Sequence, residues 1–255
     1  MNAPAPQFHR IERIRRESKR RRVTVQRAFL VTPKMRRIEF TSPELADFAS
    51  PSPDDHVKVF VPDPAAPQGV SMRDYTPRAF DGARSTLAID FALHEAGPAT
   101  AWAQNARPGD PLEIGGPRGS QVVADDFDHY LLMGDETALP AIGRRVEGLR
   151  PGVPVTTIVV VDDAGEIQTI EARADWRPVW ITRSGQSRDD AALLREALDA
   201  WAAPKGDGYV WIAAEAQIAR ALKLHMLEER RHPPAWLKAA GYWVRGKAGE
   251  SEKLG

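Results

Sequence analysis

Arg73-Asp-Tyr-Thr-Pro-Arg78 is the stretch on which the reading of this chain turns. It sets an arginine, an aromatic ring, a hydroxyl and a second arginine within six residues. Side chains of an extended segment alternate between faces, so Arg73 shares a face with Tyr75, and Thr76 with Arg78, unless the strand bends. Pro77 lacks a backbone donor and points to an edge, a strand end or a bend. A bend lets ring, hydroxyl and guanidinium converge on one ligand. Tyrosine can cover a flat heteroaromatic ring, threonine can hydrogen-bond its edge, and arginine can clamp a phosphate. The alternative on these six residues alone is a surface strand with solvated arginines.

Downstream, the apolar run Leu87 to Leu93 leads into His94-Glu-Ala-Gly-Pro-Ala-Thr-Ala-Trp102. A strand, then Gly97-Pro98, then a helix start carrying Ala99, Thr100 and Trp102 makes an anion site. Proline suits the first helical turn, and the free N–H groups there attract phosphate. Gly97 lets the backbone approach closely, and Thr100 adds a hydroxyl. Taken singly, His94 reads as a structural histidine and Trp102 as core.

A third stretch, Tyr130-Leu-Leu-Met-Gly-Asp-Glu-Thr-Ala-Leu-Pro-Ala-Ile142, is again strand, glycine turn, helix start. Gly134-Asp-Glu-Thr137 is not G-x-G-x-x-G. One glycine cannot hug a pyrophosphate as that fingerprint does, and Asp135 and Glu136 repel phosphate unless they face ribose or a nicotinamide. Thr137 is the best phosphate ligand nearby. Arg183 and Glu215 also fall just after strands, on the same expected rim. Arg183 reads as a ligand or a solvated loop residue, Glu215 as a ligand or a helix N-cap.

Together these stretches resemble the siderophore-interacting protein family, the flavin-dependent ferric-siderophore reductases. Ala214-Glu215 and Gly241-Tyr-Trp-Val-Arg-Gly246 complete the resemblance, which runs in family order over roughly residues 20–246. It implies FAD held by Arg73, Tyr75, Thr76 and Arg78 and by the His94–Trp102 segment, with Tyr75 against the isoalloxazine and Thr76 near its redox-active edge. It implies NADPH or NADH at Gly134, Asp135, Glu136, Thr137, Arg183 and Glu215, where an arginine such as Arg183 can meet a 2′-phosphate. It implies an anionic ferric siderophore received by Lys58, Arg118 and Arg245. A reduced ferredoxin is an alternative donor. No catalytic acid or base is needed. A general NAD(P)H:flavin or quinone reductase, and a siderophore-binding protein without turnover, are the competing functions.

The rest of the chain fits this frame. Its 255 residues suit one large or two medium domains. Short strands with Gly/Pro turns over residues 21–124 argue for an antiparallel barrel, the expected FAD-binding domain. Strands alternating with helices over 128–246 argue for a parallel α/β sheet, the expected NAD(P)H-binding domain. Residues 247–255 read as a tail. There is no cysteine, which excludes disulfides, thiolate metal sites and a cysteine nucleophile. The six histidines show no metal-binding spacing, so iron is expected to arrive inside its chelator. No run reaches the roughly 20 apolar residues of a membrane span, and no signal core is present. A cytoplasmic monomer without membrane or nucleic-acid partners is the expectation. Net charge is zero, yet residues 1–40 hold twelve Lys/Arg against three Asp/Glu. Residues 1–20 are read as a basic leader, poorly ordered or a short polar helix, because no aromatic interleaving supports nucleic-acid binding.

Overall fold

Residues 9–93, 97–185, 188–247 and 249–254 are described by the structure, a computed structural model. Among the described residues of the basic leader, five form a strand, which corrects the sequence reading of a disordered or helical segment there. Ile11–Arg15 (β1) pairs antiparallel with Gly119–Val123 (β9). Ile11 packs against the core of the second sheet, and His9 stacks on the Phe127 ring at 3.7 Å. Ile11 and His9 dock the segment, while the six Lys/Arg of residues 9–20 stay exposed.

Seven strands form one antiparallel sheet: Arg20–Thr32 (β2), Met35–Thr41 (β3), Val57–Pro62 (β4), Val70–Tyr75 (β5), Pro77–Asp81 (β6), Thr86–Ala92 (β7) and Pro111–Gly115 (β8). Their spatial order is β5-β4-β8-β2-β3-β7-β6. The edge strands β5 and β6 are consecutive, with Thr76 alone between them, so the sheet curls until its own edges meet. They do not pair, and the barrel expected from the sequence is a half-barrel with its seam at Thr76. Pro77 opens the edge strand β6, where its missing donor costs no ladder bond. Apolar residues alternate inward, and Ile38, Phe40, Val59, Ile89, Phe91 and Ile114 are fully buried under Pro98–Asn105 (α1). Burying each such side chain contributes about 1.5–3 kcal/mol.

The second sheet runs Asp175–Thr182 (β12), Pro154–Val161 (β11), His129–Gly134 (β10), Gly208–Glu215 (β13), Leu237–Trp243 (β14) and Glu252–Lys253 (β15). The first five are parallel, and β15 is antiparallel to β14. The expected tail therefore supplies an edge strand. β12 begins four residues before the apolar run Val179–Thr182. It contains Pro178, which an edge strand tolerates. Leu139–Gly148 (α2) covers one face, and Asp190–Ala200 (α3) and Ala216–Glu228 (α4) cover the other. Among the described residues no helix is long and apolar enough to cross a membrane.

Polar ties lock the two sheets together. Arg144 of α2 donates to the carbonyl of Ser50 at 2.6 Å. Glu166 accepts from the Thr32 hydroxyl and the Lys34 amide at the β2–β3 turn. Asp54, in the loop before β4, accepts from Trp211 of β13 at 3.0 Å and pairs with Lys238 of β14 at 2.5 Å. Burial alone would raise the Asp54 pKa, but the Lys238 ammonium and the hydrogen bonds hold it at about 2. A carboxylate depressed in the folded state adds stability that is complete above its unfolded pKa, about 3.9, and is lost as pH falls through the folded value. Urea unfolding from pH 5 to 2 should therefore lose about 2 kcal/mol through this group. Asp54→Asn should be less stable at neutral pH and show a shallower acid limb. An acid limb identical in the variant would remove Asp54 from the account.

Candidate functional site

The seam of the half-barrel gathers the first motif. β5 pairs Tyr75 with Val57 and Arg73 with Val59, and both partners are core residues. Arg73 and Tyr75 thus share the face toward α1, as their spacing predicts. Tyr75 lies on Phe91 with centroids 4.4 Å apart, and burial pushes its phenol up to about 12. Thr76 is buried at the seam and hydrogen-bonded to Tyr242, just beyond the face of the second sheet. Arg73 donates to the carbonyl of Met72 at 2.8 Å and has no acidic partner among the described residues.

Arg78 behaves differently. It is the extra residue of the bulge between Pro77 and Ala79, so it leaves the regular alternation and does not join Thr76 on one face. Its guanidinium forks onto Glu147 of α2, with one bond of 2.8 Å, and its Nε lies 3.8 Å from Asp90. Asp90 is itself gripped by Arg37 at 2.6 and 2.8 Å. Arg78 is a tie between the sheets, and its charge is already matched.

α1 packs against β4 and against β5, the strand that carries Arg73. Gly97 is its N-cap without a side-chain cap bond, and Pro98 follows in the first turn. A Cβ on Gly97 would meet nothing within 4 Å, so the space before the helix is open. Ala99 and Thr100 are buried. Trp102 packs near Phe91 and Phe40 at 5.9 and 6.3 Å, and so works as core. His94 lies outside the described residues. An unmatched guanidinium, an aromatic face, a hydroxyl and a free helix start fit the flavin with its pyrophosphate. Gly249, at φ +80°, lies against the Arg73 guanidinium, where any Cβ would press on Nη1. The sequence reading assigned nothing to that residue, because only the fold carries the C-terminal segment back to Arg73.

On the second sheet, the residues expected to meet the nucleotide also have partners within the fold. Gly134 is required by packing, since a Cβ would overlap the Ala213 carbonyl oxygen and the Ala138 methyl. Asp135 is fully buried and accepts from the Thr137 amide and hydroxyl, the Glu215 amide and the Trp243 indole. Burial, with Glu136 beside it, pushes its pKa up against the pull of these donors. Thr137 is thus committed to Asp135. Glu215 caps α4 through the Gln217 and Ile218 amides, and its other oxygen accepts from the Arg245 amide. Arg183 is held by Asp190 and Glu136 at 2.8–3.0 Å. Burial works to lower its pKa, but the two carboxylates raise it. That trio carries one net negative charge and is poorly disposed toward phosphate.

Lys58, Arg118 and Arg245 lie on β4, on the bend between β8 and β9, and just beyond β14. Lys58 follows Val57, the partner of Tyr75, and is paired with Asp74 at 2.9 Å. Gly115, the ladder neighbour of Lys58, opens the bend that ends at the exposed Arg118. Arg245, also exposed, stands three residues beyond Tyr242.

Residues 127–246 match the family model described as "Siderophore-interacting protein", and residues 24–70 and 66–121 that of "Siderophore-interacting FAD-binding domain". The chain is 34% identical over 254 residues to the NADPH-dependent ferric-chelate reductase of Escherichia coli (strain K12), covering 91% of this chain and 96% of that one. A siderophore utilization protein from T. fusca is similar with TM-score 0.87 and 34% identity, over 94% of this chain and 98% of that one. A ferredoxin NADP+ reductase from Neisseria gonorrhoeae shares the fold, with TM-score 0.56 and 14% identity over 83% and 92% of the two chains.

The two motif arginines should separate in a stability measurement. Arg78→Met leaves the Asp90 and Glu147 carboxylates short of a partner and should cost about 2 kcal/mol, between exposed and fully buried pairs. Arg73→Ala should stay within about 0.5 kcal/mol. Equal urea midpoints for both variants would refute this division.

Proposed function

The chain belongs to the siderophore-interacting protein family and is a ferric-siderophore reductase, and we propose that Arg73, Tyr75 and Thr76 hold its FAD at the half-barrel seam. The observation that carries this reading is the acid-free guanidinium of Arg73 on one face with the Tyr75 ring, on a strand that packs against α1. Bound FAD supplies the chemistry of accepting hydride from NAD(P)H and passing single electrons to chelated ferric iron. Arg73 and the α1 amides would neutralise its phosphates, Tyr75 would cover its ring as a neutral phenol, and Thr76 would meet the ring edge. Arg78 serves by fixing the second sheet against the seam.

Lys58, Arg118 and Arg245 would steer and hold the anionic ferric siderophore at the open side. No side chain need give or take a proton, since iron reduction moves electrons alone. Ferrous iron leaves because hard oxygen donors hold it less well. One chain carries both nucleotide sites, so a monomer suffices. A nicotinamide donor, regenerated inside cells, favours the cytoplasm.

The direct test is optical. The purified protein should be yellow, bleach anaerobically with NADPH and regain colour with a ferric siderophore. Arg73→Ala with Thr76→Ala should lose FAD while keeping its circular dichroism. A double variant that keeps full FAD would sink the assignment of the seam.

Of the two nicotinamide donors we favour NADPH, the donor of the E. coli relative. A 2′-phosphate would compete with Glu136 for Arg183. Glu136→Gln removes that competitor and should lower KM for NADPH about fivefold, with little change for NADH. An equal change for both would mean that Arg183 never meets the 2′-phosphate.

A further inference from the structure

The bend from Gly115 to Arg118 collects cations from segments far apart in sequence. Gly115 lies between Arg20 of β2 and Lys58 of β4 in the ladder. The Gly116 amide donates to the Lys19 carbonyl, and the Arg16 amide donates to the Arg118 carbonyl at 2.8 Å. Most of these charges are matched: Lys19 and Arg21 by Asp47, Arg20 by Glu113, Lys58 by Asp74. Arg16 and Arg118 are both exposed and have no acidic partner among the described residues. Like charges held side by side in a ladder repel each other, and an anion between them relieves this.

A cavity of about 580 Å³ opens at the same bend, against Gly116 and Pro117. Arg16, Glu17, Lys19, Arg21 and Asp47 line the rest of it. Its lining is one charge positive, and Arg118 stands at the bend's end. The position of Arg16 is not accidental, because β1 fixes it. The β1–β9 ladder and the His9–Phe127 stack anchor the chain immediately before it.

We propose that Arg16 and this cavity form an outer anion subsite of the siderophore site. It would take a peripheral oxyanion, a carboxylate or catecholate, of the ferric chelate, while Lys58 and Arg118 face its iron-bearing centre. The inference rests on the reductase reading above and adds a specificity-determining residue to it. Chelates with charged arms gain an extra contact, and compact neutral ones gain none.

Isothermal titration of the full-length oxidised protein tests this without turnover. The probes are a trianionic ferric tris-catecholate and a neutral ferric trihydroxamate. Arg16→Gln should weaken the trianion about fivefold and the neutral complex by less than about twofold, with FAD content unchanged. Ser18→Glu, which adds a negative charge to the same cavity wall, should weaken the trianion by a similar factor. Unchanged trianion affinity in both variants, or an equal loss for both chelates, overturns the subsite. If the starting protein binds and reduces both chelates and Arg16→Gln matches it, the subsite alone falls. If the starting protein neither binds nor reduces them, the reductase reading falls with it.

Discussion

Everything at the seam depends on the Arg78 guanidinium being shared between Asp90 of the half-barrel and Glu147 of the α/β unit. A partly buried cation is costly to leave unmatched, so the two sheets can separate only by exposing three charged groups together. Arg37, on the other side of Asp90, completes the cluster and pins it to β3. The relative position of the half-barrel seam and the rim of the parallel sheet follows from that lock, since a charge cluster resists sliding better than an apolar contact of the same size. Asp54, Arg144 and Glu166 repeat the device at other points of the interface.

A recurring feature of the molecule is that polar residues at strand ends serve the backbone before any ligand. Asp135 gathers four donors, from the β10 turn, from β13 and from β14. Glu215 spends one oxygen on the start of α4 and the other on the Arg245 amide. These bonds hold the rim of the parallel sheet in shape. A nucleotide approaching that rim meets ordered carboxylates and few free cations, so its phosphates have weak local support.

The N-terminal segment shows how charge can conceal structure. Arg10 to Arg22 holds eight cations, and in sequence that density reads as solvation. Two isoleucines and one histidine reverse the outcome, because β9 offers a free edge and Phe127 a ring face. The backbone ladder then places Arg16 against Arg118, a pairing of residues 102 positions apart.

The sequence by itself determined the succession of strands and helices, because apolar periodicity and Gly/Pro turns are local signals. It determined the face shared by Arg73 and Tyr75, which the twofold repeat of a strand imposes. It also carried the family resemblance, since motifs in order survive without coordinates. Tertiary structure decided what each charged residue does. Arg73 and Arg78 are chemically identical and five positions apart, yet only the fold sets Glu147 and Asp90 against one of them. Arg183 reads in sequence as a ligand or a solvated loop residue, and only the fold sets Glu136 and Asp190 around it. The open seam, the strand made by the leader and the return of Gly249 to Arg73 likewise depend on contacts between distant segments. A side chain's charge is written in its own letter, but whether that charge is matched depends on neighbours that only folding supplies.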